Sequence, residues 1–260
     1  MLKVEGLKYQ IGSKTIIPDL SVQFQPGEVN MILGPNGSGK STFLKLCSGE
    51  LHPDKGVVYY GDKQLTNDTK AAMAKRRAVL SQHSELTFPL SVSEVVIMGR
   101  YPHFEHSPSQ KDNAICKEAM ATLDILHLAS RNYLTLSGGE RQRVHFARVI
   151  AQIWEMSEEG ERYLFLDEPM GHLDIKYQHA FLKLSRELLN ERTVLVAVMH
   201  DVNLSIQYAD KLLFLKDGAI EAYGIPEQVV SSSLIESVFS VHTTIIKNPV
   251  SEKPHVIYEQ

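Results

Sequence analysis

The stretch Gly34-Pro35-Asn36-Gly37-Ser38-Gly39-Lys40-Ser41-Thr42 carries glycines, a lysine and a hydroxyl at the spacing Gly-x-x-x-x-Gly-Lys-Ser. Glycines there let successive backbone N–H groups converge on phosphate oxygens, and a helix starting near Lys40 adds partial positive charge. Lys40 can then reach β- and γ-phosphates, and the Ser41 hydroxyl can ligate Mg²⁺. A Gly-rich turn without a ligand is a poor account of this run, which follows an apolar strand and opens a helix. Leu164-Phe165-Leu166-Asp167-Glu168 sets two acids at the end of another apolar run. At the carboxyl edge of an α/β sheet, where ligands bind, Asp167 can hold Mg²⁺ directly or through water, and Glu168 can polarise an attacking water as general base. Acids also end strands simply because loops are solvated, but beside a phosphate loop the chemical reading takes precedence.

Leu136-Ser137-Gly138-Gly139-Glu140-Arg141-Gln142-Arg143 is the most diagnostic stretch. Ser137 followed three residues later by Glu140 is a capping box, and it predicts a helix running toward Trp154. A cap alone does not explain Gly138 and Gly139, which fall in the first turn, where an interior glycine costs up to about 1 kcal/mol relative to alanine. Bare glycines beside a capping serine leave N–H groups open to an anion, so the stretch reads as a second phosphate site. One nucleotide has no obvious way to occupy both sites within one chain.

Strands alternating with amphipathic helices must position these motifs, and the pattern predicts an α/β protein built around a largely parallel sheet. An antiparallel section is expected first: Leu20-Ser21-Val22-Gln23-Phe24 alternates, Pro26-Gly27 turns, and Val29-Asn30-Met31-Ile32-Leu33 follows as a buried strand. Residues from about 83 to 160 read as a helical subdomain inserted into the sheet domain, with Ile115, Ala119, Leu123 and Leu126 at helical spacing between Lys111 and Ala129. Strand-like runs return at 163–166, 193–199 and 212–215, with a helix starting near Asp174. Ser231-Ser232-Ser233 reads as a break before a tail of short helix and extended chain.

Composition bounds the function classes. The 260 residues are 43% hydrophobic and carry 27 Lys+Arg against 31 Asp+Glu, so nothing attracts nucleic acid or anionic lipid globally. The longest apolar runs, such as 194–199, hold about six residues, against about 18 needed to span a bilayer. Glu5 interrupts the place where a secretory signal needs its apolar run, so no targeting segment is expected. Cys47 and Cys116 are too few for a disulfide framework and read as small core residues in a reducing compartment. His83, His103 and His106 lack the tight spacing of metal ligands.

The order of phosphate loop, Leu-Ser-Gly-Gly-Glu, acidic strand end and His200 resembles the nucleotide-binding subunit of an ATP-binding cassette transporter, over nearly all of residues 1 to about 228. The resemblance implies a P-loop NTPase core of RecA-like type with an antiparallel β section and an inserted helical subdomain, followed by a short extension over 229–260. It implies a head-to-tail homodimer in which the Ser137 loop of one subunit closes on ATP held by the phosphate loop of the other, which resolves the two-site puzzle. Tyr9 matches the aromatic that stacks on adenine, and Gln82 the glutamine that contacts Mg²⁺ or water and links the core to the helical subdomain. His200 matches the γ-phosphate histidine, and Asp174 the loop that crosses the dimer interface, although Met170-Gly171-His172 departs from the usual pattern there. ATP and Mg²⁺ are the implied cofactors. A transmembrane permease dimer is the implied partner, with a periplasmic or surface substrate-binding protein acting indirectly, and the location is peripheral, at the cytoplasmic face of the inner membrane. The permease is expected to dock near Gln82, on 86–89 and the 92–98 segment, unless those apolar residues belong to the subdomain core.

Gly99-Arg100-Tyr101-Pro102-His103 is similar to ATPases of bacterial importers for iron chelates, cobalamin and haem, and the long link over 153–162 is similar to the haem-importing branch. Haem is therefore the expected cargo, with a ferric siderophore or cobalamin as alternatives. A soluble cassette ATPase of DNA repair or translation is the rival of another class; such proteins usually carry a coiled coil or two cassettes on one chain.

Overall fold

The computed structural model describes residues 1–66, 69, 72–82, 86–155, 160–171, 173–188 and 190–259. Elements are numbered in chain order. Strands β1 (Leu2–Ile11), β2 (Lys14–Phe24), β4 (Lys55–Tyr60) and β5 (Lys63–Gln64) form an antiparallel sheet in the order β2-β1-β4-β5. Strands β3 (Val29–Leu33), β6 (Arg77–Leu80), β7 (Arg162–Asp167), β8 (Thr193–Val198), β9 (Lys211–Lys216) and β10 (Ala219–Gly224) form a second sheet in the order β10-β9-β3-β8-β7-β6. All its pairs are parallel except β9 with β10. Helix α1 (Lys40–Ser48) packs between the two sheets: its Phe43, Leu44, Leu46 and Cys47 share a core with Leu2, Val4, Phe24 and Val58.

The parallel strands are buried on both faces, and period-two alternation divides their side chains between two cores. Met31, Leu33, Leu164, Leu166, Leu195 and Ala197 face the helices, while Ile32, Tyr163, Phe165, Val194, Val196 and Val198 face α1 and the other sheet. The strands on either side of Pro26-Gly27 do not pair as the expected hairpin. β2 and β3 belong to different sheets, and Gly27, at φ +81°, donates its N–H to Thr193 O at 2.8 Å as the chain crosses between them.

Between β6 and β7 the described regular elements are helical, apart from one bridge between Ser91 and Asn132. They include α2 (Val92–Ile97), a 3-10 turn (Met98–His103), α3 (Gln110–Thr122) and α4 (Gly138–Gln152). The expected helix over 111–129 stops early because Asp124 turns left-handed at φ +52°. Ile125 then enters the core and Leu126 is left 44% exposed. Gly99 lies so close to α4 that a Cβ there would stand 2.0 Å from Arg148 O. Arg100, 1% exposed, binds Asp112 at 2.8 Å, Ala151 O at 2.8 Å and Glu155 at 2.6 Å. Burial pushes the Asp112 carboxyl up, but Ser109 and Arg100 outweigh it and hold the pKa at about 2. The Gly99-Arg100 pair is thus a clamp on α4.

Helices α5 (Ile175–Glu187) and α6 (Val202–Tyr208) follow β7 and β8, and α7 (Pro226–Val229) and α8 (Ser232–Phe239) follow β10. The break expected at the three serines falls between α7 and α8, where Ser231 is the N-cap of α8. The tail ends in a ribbon of β11 (Thr243–Lys247) and β12 (Pro254–Tyr258). It is fastened to α6 by reciprocal Asn203–Val256 hydrogen bonds and by Lys253 Nζ on the carbonyls of Ile206, Gln207 and Ala209. Cys47 and Cys116 are both buried.

Candidate functional site

Four adjacent strands, β3, β8, β7 and β6, end at one edge of the parallel sheet, and the residues just past their carboxyl ends include Gly34, His200, Glu168 and Gln82. The phosphate loop is packed from below. A Cβ on Gly34 would lie 2.0 Å from Leu215 O, and Gly218 donates its N–H to Ser38 O at 3.0 Å. Asp217 and Gly218, at φ +49° and +76°, make the two-residue turn that brings β10 back onto β9. Neither this Asp-Gly turn nor its support of the phosphate loop was singled out from sequence.

Gly39 takes the N-cap of α1 in a left-handed conformation, φ +96°, and supplies no side-chain cap, so the first N–H groups of the helix lack that partner. Lys40 is buried, and its Nζ donates to Gly34 O at 2.9 Å and Pro35 O at 3.0 Å, which leaves its third N–H for a ligand. Burial pushes its pKa down, with Glu168 and Asp167 opposing. The buried Ser38 Oγ has no hydrogen-bond partner among the described residues. An uncapped helix end, a spare ammonium N–H and an orphaned hydroxyl fit a polyphosphate. Pro35, Asn36 and Gly37 form the rim, and Thr42 follows Ser41 in the first turn of α1.

Ser41 Oγ donates to Asp167 Oδ1 at 2.8 Å. Two oxygens each about 2.1 Å from an octahedral ion lie about 3 Å apart, so this pair is spaced to serve as neighbouring Mg²⁺ ligands. Among the described residues no cluster of three His, Cys, Asp or Glu forms a closed metal cage, and Mg²⁺ is ordinarily held by few protein oxygens, with phosphates and waters completing its shell. The Asp167 carboxyl is raised above its ordinary range by burial, with Ser41 opposing and Glu168 adding.

Glu168 adopts φ +50°, left-handed for a residue with a side chain and in front of a proline. Three contacts hold it: its N–H on Val198 O at 3.2 Å, Gln82 Nε2 on one carboxylate oxygen at 2.5 Å, and His200 Nε2 2.6 Å from the other. Gln82, Glu168 and His200 thus form one cluster beside Ser41–Asp167. His200 is half exposed.

The remaining expected residues lie elsewhere on the chain. Ser137 caps α4 by accepting from Glu140 N at 3.3 Å, and Ser137 N in turn donates to Glu140 Oε2 at 2.7 Å. Ser137 and Gly138 are exposed, and Gly139 is half-buried. Tyr9 is half-buried on β1 opposite Ile17, and Asp174 caps α5 through Tyr177 N at 3.0 Å. His172 and His83 lie outside the described residues. His103 is committed to Gln152 O at 2.8 Å. Of the expected docking stretches, Val92, Val95 and Val96 are core residues, whereas Phe88 is 69% exposed; Tyr101, just beyond them, is 58% exposed. Gln142 was not singled out from sequence, yet its Nε2 donates to Pro169 O at 2.6 Å, directly beside Glu168.

A family model described as ABC transporter matches residues 17–171, which span the phosphate loop, Ser137 and Glu168. The chain belongs to the ABC transporter family. This cassette is an ATPase that binds ATP. It is 43% identical over 257 residues to the hemin import ATP-binding protein of Gloeobacter violaceus, covering 99% of this chain and 94% of that one. It is 41% identical to the protein of the same name from Pseudomonas aeruginosa, covering 99% of both. Its fold matches a metal-chelate type ABC transporter in an inward-facing conformation with a TM-score of 0.81 at 26% identity, covering 100% of this chain and 97% of that one. Among the described residues no helix is long and apolar enough to cross a membrane.

Proposed function

We propose that the cassette hydrolyses ATP to drive import of haem through a separate transmembrane permease dimer, bound at the cytoplasmic face of the inner membrane. The haem assignment is supported by end-to-end likeness to hemin import ATP-binding proteins at 37–43% identity. The observation that carries the catalytic reading is the Glu168 carboxylate, fixed by Gln82 and His200 beside the Ser41–Asp167 pair.

The phosphate loop binds the triphosphate through its N–H groups, Ser38 and Lys40, while Tyr9 stacks on adenine. Ser41 and Asp167, with Gln82 nearby, would hold Mg²⁺, which would supply positive charge to the β- and γ-phosphates. Glu168 orients and deprotonates the attacking water, and His200 leaves Glu168 to face the γ-phosphate. Ser137, Gly138 and Gly139 of a second copy close over the same ATP, with Glu140 holding the cap and Asp174 at the interface. Binding two ATP molecules draws the subunits together, and release of phosphate lets them part. The exposed Phe88 and Tyr101 face the permease. Residues 1–228 make up the cassette, with its helical subdomain over about 83–160, and 229–260 form an extension.

A ferric siderophore or cobalamin is the second reading, supported by likeness to a metal-chelate type transporter. The test is reconstitution of the cassette and its permease in vesicles, with hemin, a ferric siderophore and cobalamin assayed in parallel. Hemin uptake that disappears with Glu168→Gln supports the proposal. Uptake of another chelate replaces the cargo and keeps the mechanism, whereas ATP hydrolysis without any uptake favours a soluble cassette role.

A further inference from the structure

A side-chain hydrogen bond joins the helix that bears Ser137 to the chain just beyond Glu168. Gln142 lies five residues beyond Ser137 on α4, about 7.5 Å along the helix axis, and its Nε2 donates to Pro169 O at 2.6 Å. Pro169 is buried and, as a proline, has no N–H, so its carbonyl is its only backbone hydrogen-bonding group. Gln142 holds the Pro169–Met170 peptide, one beyond Glu168, whose left-handed backbone in front of a proline is doubly disfavoured and persists only under restraint from its surroundings. The other restraints, from Val198, Gln82 and His200, come from the sheet edge and its loops. Gln142 is the restraint that comes from the helix bearing Ser137.

We propose that Gln142 is a positioning residue that couples the two ATP sites of the dimer: it ties the helix closing on the partner subunit's ATP to the Glu168 peptide acting on its own. The inference rests on the dimeric reading above. When the N-terminus of α4 engages the ATP across the interface, the helix shifts as a body and Gln142 carries that shift to Pro169. Glu168 is thereby set for hydrolysis in one site by occupancy of the other. Energetic coupling of this kind is reciprocal for binding and appears as cooperativity in ATP.

The test uses the full-length protein and measures steady-state hydrolysis against ATP concentration, with affinity for a fluorescent ATP analogue measured separately. Gln142→Glu keeps the shape of the side chain and loses the donor, whereas Gln142→Lys keeps a donor of similar reach. Gln142→Glu is expected to lower kcat about tenfold and bring the Hill coefficient to one, with analogue affinity unchanged within about twofold. Gln142→Lys is expected to recover part of both kcat and cooperativity, which a merely structural role would not produce. If Gln142→Glu does not fold, the neutral Gln142→Met carries the same expectation. A donor-less variant that keeps the wild-type Hill coefficient overturns the proposal. So does wild-type hydrolysis without cooperativity, a lysine variant as impaired as the glutamate one, or a collapse in analogue affinity. Absence of hydrolysis in the wild type would instead strike at the underlying ATPase reading.

Discussion

The phosphate loop and the Ser137 tip are both glycine-bearing helix N-termini, yet they are held in opposite ways. Gly39 leaves α1 without a side-chain cap, and the buried Lys40 and Ser38 offer unspent donors within the core. Ser137 and Glu140 form a reciprocal capping box at the start of α4, and the tip is exposed. An uncapped, buried N-terminus gains most from an anion, whereas a side-chain-capped, exposed one gains chiefly when a second surface excludes water. On the proposed mechanism, nucleotide affinity belongs chiefly to the phosphate loop, and the Ser137 tip contributes through association.

Removing the group that neither element supplies gives the largest effect. Glu168→Gln keeps the hydrogen-bonding shape but cannot take a proton, so kcat is expected to fall by about 10²- to 10⁴-fold while ATP still binds. ATP should then trap a dimer detectable by size-exclusion chromatography, and an unchanged hydrolysis rate would remove Glu168 from the role of base. Lys40→Ala breaks the comparison on the phosphate-loop side. Loss of a charged donor should weaken ATP binding by about 10- to 100-fold by calorimetry, and normal affinity would place the binding energy elsewhere.

Ser137→Ala breaks the other side and has a smaller effect. Loss of the cap should cost about 1 kcal/mol, or about 2–4 °C in Tm for a chain of this size. Affinity of a single subunit for ATP should hold while ATP-dependent dimerisation in the Glu168→Gln background weakens. Loss of affinity in the isolated subunit would show that the two elements serve one nucleotide within one chain.

What the sequence made legible differs between these elements for physical reasons. The phosphate loop, the acidic strand end and the capping box are local, since neighbours in the chain are neighbours in the site. The parallel strands were readable because both of their faces are buried. Sheet membership was not, because the apolar runs flanking Pro26-Gly27 look the same whether the strands pair or part into different layers. Arg100 was noticed as part of a motif, but its partners Asp112, Ala151 and Glu155 lie 12 to 55 positions away. The Gln142–Pro169 bond spans 27 positions and leaves no local signature. Asp124 ended a helix by adopting a backbone conformation that apolar periodicity does not encode.

The smallest predicted effect sharpens what the phosphate-loop side costs before nucleotide arrives. Burial raises the Asp167 carboxyl above its ordinary 3.8, so between 3.8 and the folded value the native state holds more proton than the unfolded state. This group's contribution is fully present below the unfolded pKa and is lost as pH rises through the folded one. At neutral pH its ionised form is therefore a net burden on the nucleotide-free protein. Asp167→Asn keeps an acceptor for Ser41 and removes the charge, so Tm at pH 7 should rise by about 1–3 °C although hydrolysis is lost. The gap should close as pH approaches 4, and ATP with Mg²⁺ should stabilise the wild type more than the variant. A gap of the same size at both pH values in scanning calorimetry would mean that packing, rather than the buried charge, sets the stability at this position.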